Sequence, residues 1–170
     1  GEPFFYLADT AWVICNKLTL EETRRLFEDR AAKGFNAVQT VVFRDLFEPN
    51  SPNAYGVRPF ATEADLMAVR MNPEWIAHLK RVLELAREYG LYLALLPTWG
   101  DKWNEHSNSA GPVIMNAESG RAYTRMLSDA LADDPNVIWM LGGDSPIQSQ
   151  AHADVIHAMA AGLREGGSGD

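Results

Sequence analysis

Four short apolar segments alternate with four amphipathic segments, and this alternation limits the possible folds more than any other feature of the chain. Apolar or β-branched runs predict strands at 4–7, 37–43, 91–96 and 136–141. Apolar residues at helical spacing predict helices at 19–34, 72–90, 116–132 and 149–163. Repeated strand–helix units predict an α/β fold whose strands lie parallel and are joined by right-handed crossovers.

Two architectures contain such repeats, the open doubly wound sheet and the parallel (β/α)₈ barrel. A complete barrel needs about 250 residues, so four βα units in 170 residues correspond to half of a TIM-like barrel. Acids and tryptophans follow the strands, whereas the connections after the helices are short and plain. This asymmetry favours the barrel, whose active site lies at the carboxyl ends of its strands. We therefore expect a half-barrel domain at 1–165 and a flexible tail at 166–170.

The charge and motif content of the chain exclude several classes of partner and cofactor. A formal net charge of −8 without a Lys/Arg cluster argues against nucleic acid or an anionic membrane as partner. No phosphate-binding loop, dinucleotide-binding glycine pattern or serine-hydrolase elbow is present, so we expect no cofactor. Paired histidines of the zinc-hydrolase type are also absent, and no metal site is predicted. The single cysteine, Cys15, is expected to be a core residue.

Asp144 is the candidate catalytic residue because it follows a strand that stops at two glycines. Gly142 and Gly143 allow a sharp turn and let a ligand approach the backbone closely. The acid then lies at the carboxyl end of the fourth strand, where α/β enzymes bind their ligands. The alternative is a turn or helix cap, since acids are common there and Ser145-Pro146 follows.

Tryptophans and polar residues after the other strands suggest a carbohydrate site. Aromatic rings pack on the CH faces of sugars while carboxylates and other polar groups bind hydroxyls. The candidate substrate-binding residues are Asp9, Trp12, Arg44, Trp99, Asp101, Trp103 and His106.

Each of these candidates also has a structural alternative. Asp9 could be a cap, the tryptophans could fold back onto the core, and Arg44 could pair with Asp45. Three helical histidines, His78, His152 and His157, are expected to be exposed.

Three segments resemble the apiosidase-like glycoside hydrolases, a family formerly described as a domain of unknown function. Residues 1–12 (GEPFFYLADTAW) are similar to the opening strand of that family. Residues 35–39 (FNAVQ) are similar to its second strand, and 135–144 (PNVIWMLGGD) to its fourth. The resemblance extends over nearly the whole chain.

This resemblance implies a retaining glycosidase built on a (β/α)₈ barrel and acting on a plant-type polysaccharide or oligosaccharide. Asp144 would be the general acid/base, and the nucleophile would be an acid after strand seven, beyond the four units of this chain. We therefore expect the chain to be the acid/base half of the enzyme and to be inactive alone. Its exposed half-barrel edges could support a homodimer.

Two other readings of the sequence remain. The chain could be a carbohydrate-binding or interaction module that uses Trp12, Trp99 and Trp103 without catalysis. It could also be a small doubly wound α/β hydrolase domain. Strand order separates the last reading from a half barrel, because a doubly wound sheet reverses its order and a barrel does not.

Overall fold

The fold is a single parallel sheet whose strands follow one another in chain order. The computed structural model describes residues 3–43, 50–106 and 111–167. Its four strands are β1 (Ala8–Thr10), β2 (Ala37–Val41), β3 (Tyr92–Leu96) and β4 (Val137–Trp139). They pair in parallel in the order β1-β2-β3-β4. This order confirms the prediction of a half barrel and contradicts the doubly wound alternative.

Helices cover one side of this sheet, and their capping residues explain where the longer ones begin. They are α1 (Ile14–Lys17), α2 (Leu20–Ala32), α3 (Glu63–Met67), α4 (Pro73–Glu88), α5 (Ala117–Ala130) and α6 (Gln150–Glu165). Thr19 and Glu22 form the predicted capping box of α2. Asn72 caps α4, which begins with proline at its first position. The short helices α1 and α3 were not predicted.

The helix-facing side of the sheet contains the main hydrophobic core. Val38 of β2 and Leu93 and Leu95 of β3 are fully buried there. They belong to one cluster with Phe27 of α2 and Trp75 of α4. The predicted core position of Cys15 is confirmed, since its side chain is fully buried in the same cluster.

The opposite side of the sheet is the inner face of the half barrel. Successive side chains of a strand point to opposite faces, so the register of the strands places Thr10, Gln39 and Ala94 on this face. Thr10 is exposed, and Tyr92, two residues before Ala94, is also exposed. The inner face is therefore partly open to solvent.

The first strand begins later than predicted. The apolar run 4–7 precedes β1, and Phe5 is 78% exposed. Asn36 binds this run through its side chain: its Oδ1 accepts from Leu7 N–H at 2.9 Å, and its Nδ2 donates to the Phe5 carbonyl. The run meets the sheet at Leu7, whose carbonyl accepts from the backbone N–H groups of Asn36 at 3.0 Å and Ala37 at 3.3 Å. Phe4 also contacts the Tyr92 ring edge-on, with centroids 5.4 Å apart.

The end of the described chain is attached to α5. The Gly166 carbonyl accepts a hydrogen bond from Ser128 Oγ at 2.9 Å, and Gly167 N–H donates to Asp129 Oδ1 at 3.1 Å. Residues 166 and 167 are thus packed and do not belong to a flexible tail. Residues 168–170 of the expected tail lie outside the described residues.

Candidate active site

A groove of approximately 1050 Å³ opens at the carboxyl ends of the strands. Its walls come from the segments after β1, β3 and β4. They are formed by Trp12, Leu96, Trp99, Met140, Leu141, Gly142, Gly143, Asp144, Ser145 and Pro146. This is the edge at which (β/α) barrels carry their active sites.

Asp144 borders the groove in an unusual backbone conformation. Its φ is 58°, after 121° at Gly142 and 87° at Gly143, so three successive residues are left-handed. Aspartate tolerates this region better than most residues with a Cβ. The acid does not cap α6, because Ser149 has that position. The structure thus places Asp144, which is exposed, at the groove.

Two of the three predicted tryptophans form the apolar wall of the groove. Trp12 and Trp99 meet edge to face, with centroids 5.0 Å apart and an interplanar angle of 67°. They pack with Val41, Leu96 and Met140 in a small cluster separate from the main core. Trp99 is almost buried, whereas Trp12 is half-buried. This pair could present an aromatic surface to a sugar ring.

Three other candidates after β3 are not among the residues that line the groove, and burial corrects the prediction for two of them, Asp101 and Trp103. Asp101 is buried and bonds to the buried Lys102 Nζ at 2.9 Å, so it compensates a charge inside the protein. Trp103 is 3% exposed and belongs to the main core. His106 is exposed, with its Nε2 3.6 Å from Glu105 Oε1. Asp101 lies in the 3-10 turn at Gly100–Lys102 and Trp103 directly follows it, and both side chains are inside the protein.

Asp9 is also placed outside the groove. In the register of the sheet it lies beside Val38, whose side chain faces the helices. Its carboxylate binds the Arg30 guanidinium of α2. The expected role in substrate binding is therefore corrected to an ion pair that joins β1 to α2. Arg44 and its neighbour Asp45 lie outside the described residues.

The Asp9–Arg30 pair gives the fold a defined pH dependence. The hydrogen bond from Arg30 lowers the pKa of the Asp9 carboxyl in the folded state. The pair therefore stabilises the fold above the unfolded-state pKa of about 4, and this stabilisation is lost as pH falls through the lower folded-state pKa. We expect Asp9→Asn to lower the free energy of unfolding by about 1–2 kcal/mol at pH 7. In urea titrations the difference should shrink below about pH 3; a difference that is the same at both pH values would contradict this assignment.

Two histidines that were expected to be exposed are buried. His152 is 4% exposed and His78 is 7% exposed, whereas His157 is exposed as predicted. Burial lowers the pKa of His78, against a hydrogen bond to the Cys15 backbone. The helical spacing of the buried residues His152, Val155 and Met159 was the signal that could have identified this face of α6.

The part of the chain that the structure describes has neither a cluster of metal ligands nor a membrane-spanning helix. Within 3–43, 50–106 and 111–167, no group of three or more His, Cys, Asp or Glu side chains is arranged to hold a metal ion. None of the helices described there is long and apolar enough to cross a membrane.

Solved structures similar to this chain are glycoside hydrolases. One, named a glycoside hydrolase, is 24% identical with a TM-score of 0.77, and the match covers 96% of this chain and 35% of that one. A glycoside hydrolase family 5 protein from Bacteroides vulgatus is 26% identical with a TM-score of 0.77, covering 98% of this chain and 34% of that one. A family 5 enzyme from Prevotella bryantii is 17% identical with a TM-score of 0.55, covering 94% and 49%.

The first two of these structures are about three times as long as the match, so the chain spans about a third of their length. No curated protein matches the chain. The sequence model of the apiosidase-like catalytic domain matches residues 1–170. Together with a parallel half barrel whose groove lies at the carboxyl ends of its strands, this match shows that the chain belongs to the apiosidase-like family of glycoside hydrolases.

Proposed function

We propose that this chain supplies the acid/base half of a retaining glycoside hydrolase that acts on a plant-type polysaccharide or oligosaccharide. The observation that carries the proposal is that Asp144 lines the same groove as the Trp12–Trp99 pair. A carboxyl group beside an aromatic wall can meet the glycosidic oxygen of a sugar that packs on that wall. The family and the similar structures support a glycoside hydrolase type of fragment.

In this mechanism Asp144 acts twice. Its protonated carboxyl donates a proton to the leaving oxygen while a second carboxylate attacks the anomeric carbon and the glycosidic bond breaks. The Asp144 carboxylate then takes a proton from water, which attacks the same carbon and releases the second carboxylate. The two carboxyl groups must lie about 5–5.5 Å apart for this route.

The second carboxylate is proposed to come from the other half of a barrel. Among the described residues that line the groove, Asp144 is the one carboxylic acid. A retaining enzyme needs two such groups in the same groove. We therefore expect these 170 residues alone to lack glycosidase activity.

Hydrolysis of para-nitrophenyl glycosides, including the apioside, tests the proposal. We compare the chain alone with the completed barrel, defined as this chain joined to the four C-terminal βα units of an apiosidase-like relative. Turnover is expected from the completed barrel and not from the chain alone. Turnover by the chain alone would show that both carboxyl groups lie within it and would contradict the half-enzyme proposal.

A second candidate function is carbohydrate binding without catalysis. The Trp12–Trp99 wall favours it, since an aromatic pair can hold a sugar without any acid. Sugar binding that quenches tryptophan fluorescence, survives Asp144→Ala and is not accompanied by hydrolysis in the completed barrel would favour this function over the glycosidase.

The open edges of the half barrel support a proposal about its partner. β1 and β4 are the outer strands of the described sheet. Each of them therefore has one edge that pairs with no described strand. Tyr92 of the inner face and Phe4, which contacts its ring, are exposed, and Phe5 is exposed as well. Unpaired edges and apolar patches promote association, so we propose that two copies associate through them. Sedimentation should give a dimer at micromolar concentration; a monomer that binds no dye for apolar surface would contradict this.

A further inference from the structure

The loop that carries Asp144 is attached to the neighbouring loop on both sides of the acid. We call residues 140–149 the β4 loop and residues 97–106 the β3 loop. Gly100 N–H of the β3 loop donates to the Gly143 carbonyl at 3.2 Å. The Asn104 side-chain amide donates to the Pro146 carbonyl at 2.8 Å. The two accepting carbonyls stand just before and two residues after Asp144, so these hydrogen bonds restrain the backbone that orients it.

Asn104 is itself held in one orientation. Its side chain is buried, with 1% of the residue exposed. Its Oδ1 accepts from His106 N–H at 2.7 Å, and its backbone N–H donates to the Gly100 carbonyl at 2.9 Å. With Oδ1 used in this way, the Nδ2 amide is directed at Pro146.

A third connection between the two loops runs through His152 of α6, beyond Pro146. The Gln148 N–H donates to His152 Nδ1 at 3.3 Å, so the ring proton lies on Nε2 and donates to Glu105 Oε2 at 3.2 Å. The His152 ring also packs edge-on against Trp103, with centroids 5.7 Å apart. The β4 loop is thus attached to the β3 loop at its end as well as around the acid.

The conformation of the β4 loop explains why such attachment is needed. Gly142, Gly143 and Asp144 all have positive φ, and Asp144 has a Cβ that makes this region unfavourable. A backbone in sparsely populated conformations persists when surrounding contacts hold it there. The β3 loop supplies this restraint through the hydrogen bonds of Gly100 and Asn104.

We infer that Asn104 is a positioning residue for Asp144, which it reaches through the Pro146 carbonyl. This inference rests on the proposed function, in which Asp144 transfers the proton. Loss of the Asn104–Pro146 hydrogen bond leaves the apolar wall of Trp12 and Trp99 in place and lets the Asp144 side chain move. The chemical step should therefore suffer more than substrate binding, because general acid catalysis depends on sub-ångström placement.

Asn104→Asp tests the inference, because aspartate retains the acceptor for His106 N–H and loses the donor for Pro146. Asn136→Asp is the matched control. Asn136 is also buried and donates its Nδ2 to the Leu83 and Leu91 carbonyls at 3.1 Å, but it precedes β4, at the end of the strand opposite Asp144. Asn104→Ala, which introduces no charge, replaces Asn104→Asp in the test if the aspartate variant does not fold.

Two readouts are compared. In the chain itself, amide hydrogen exchange at Gly100 should become about tenfold faster or more in Asn104→Asp, because the loops separate more often. The amide resonances of residues 142–145 should shift in the same variant, and neither change should occur in Asn136→Asp. In the completed barrel, kcat should fall about 10- to 100-fold with KM changed less than about threefold.

Unchanged exchange and resonances in both Asn104 variants would overturn the inference whether or not the chain is a glycosidase. Changed resonances with an unaltered kcat would also overturn it, since Asp144 would then not depend on this contact. If the completed barrel has no activity even as wild type, the proposed function fails, and the exchange data still decide whether Asn104 holds the β4 loop.

Discussion

Asp144→Asn is expected to lower kcat of the completed barrel by about 10²–10⁴-fold, the usual contribution of one general acid. Asparagine matches the shape of aspartate but has no acidic proton to transfer to the leaving oxygen. KM should change little, because Trp12 and Trp99 form the wall that holds the sugar. Steady-state hydrolysis of a methyl glycoside, whose leaving oxygen needs that proton, measures both constants.

Asp154→Asn is the matched control for the loss of one negative charge. Asp154 is exposed on α6, where it accepts from Gln150 Nε2 at 2.8 Å, and it does not line the groove. The Asp154→Asn variant should have a kcat within about twofold of wild type, because surface substitutions away from a site usually have small effects. A similar loss of kcat in both variants would indicate a general charge effect and contradict the assignment of Asp144.

Gly162→Ala is expected to cause the largest loss of stability, about 2–3 kcal/mol or more, through overpacking between α5 and α6. A Cβ at Gly162 would lie 2.3 Å from the Arg121 carbonyl oxygen and 2.3 Å from Thr124 Oγ1. Thr124 Oγ1 also donates to the Met159 carbonyl at 2.9 Å, so the added methyl group disrupts a buried hydrogen bond. Thermal unfolding should show a Tm lower by about 4–12 °C.

Gly120→Ala is the control at the same helix pair. A Cβ there would meet the flexible Met159 side chain at 3.2 Å and no backbone atom of α6. Methionine adapts readily, and alanine is the better helix former, so the free energy of unfolding should change by less than about 1 kcal/mol. Equal losses in the two variants would contradict the close backbone contact at Gly162.

Much of the fold could be predicted because its local signals agree. The capping residues Thr19, Asn72 and Asn116 each begin a helix at the predicted place. The predicted strands 37–43 and 91–96 overlap β2 and β3. The first strand could not be placed, because the aromatic run before it has the composition of a strand and is exposed beside Asn36. Hydrophobic composition alone does not distinguish a paired strand from an exposed segment that precedes one.

Only part of the site could be predicted, because topology sets which strand ends meet but not where each side chain points. Topology brings strand ends together, and Trp12, Trp99 and Asp144 do line one groove. Which way a side chain points depends on strand register and loop geometry. Register turns Asp9 toward Arg30, and the 3-10 turn after Trp99 takes Asp101 and Trp103 inward. The contribution of Asn104 depends on a contact between two loops, which no spacing in the sequence indicates.

The dependence on the leaving group tests the role of Asp144 most directly. The value of kcat/KM for the completed barrel reports the first chemical step, in which the acid protonates the leaving oxygen. The dinitrophenolate of a dinitrophenyl apioside leaves without a proton, whereas the methoxy group of a methyl apioside needs one. Asp144→Asn should keep kcat/KM within about tenfold for the first substrate and lower it about 10²–10⁴-fold for the second. An equal loss with both substrates would contradict the account, since Asp144 would then not be the proton donor.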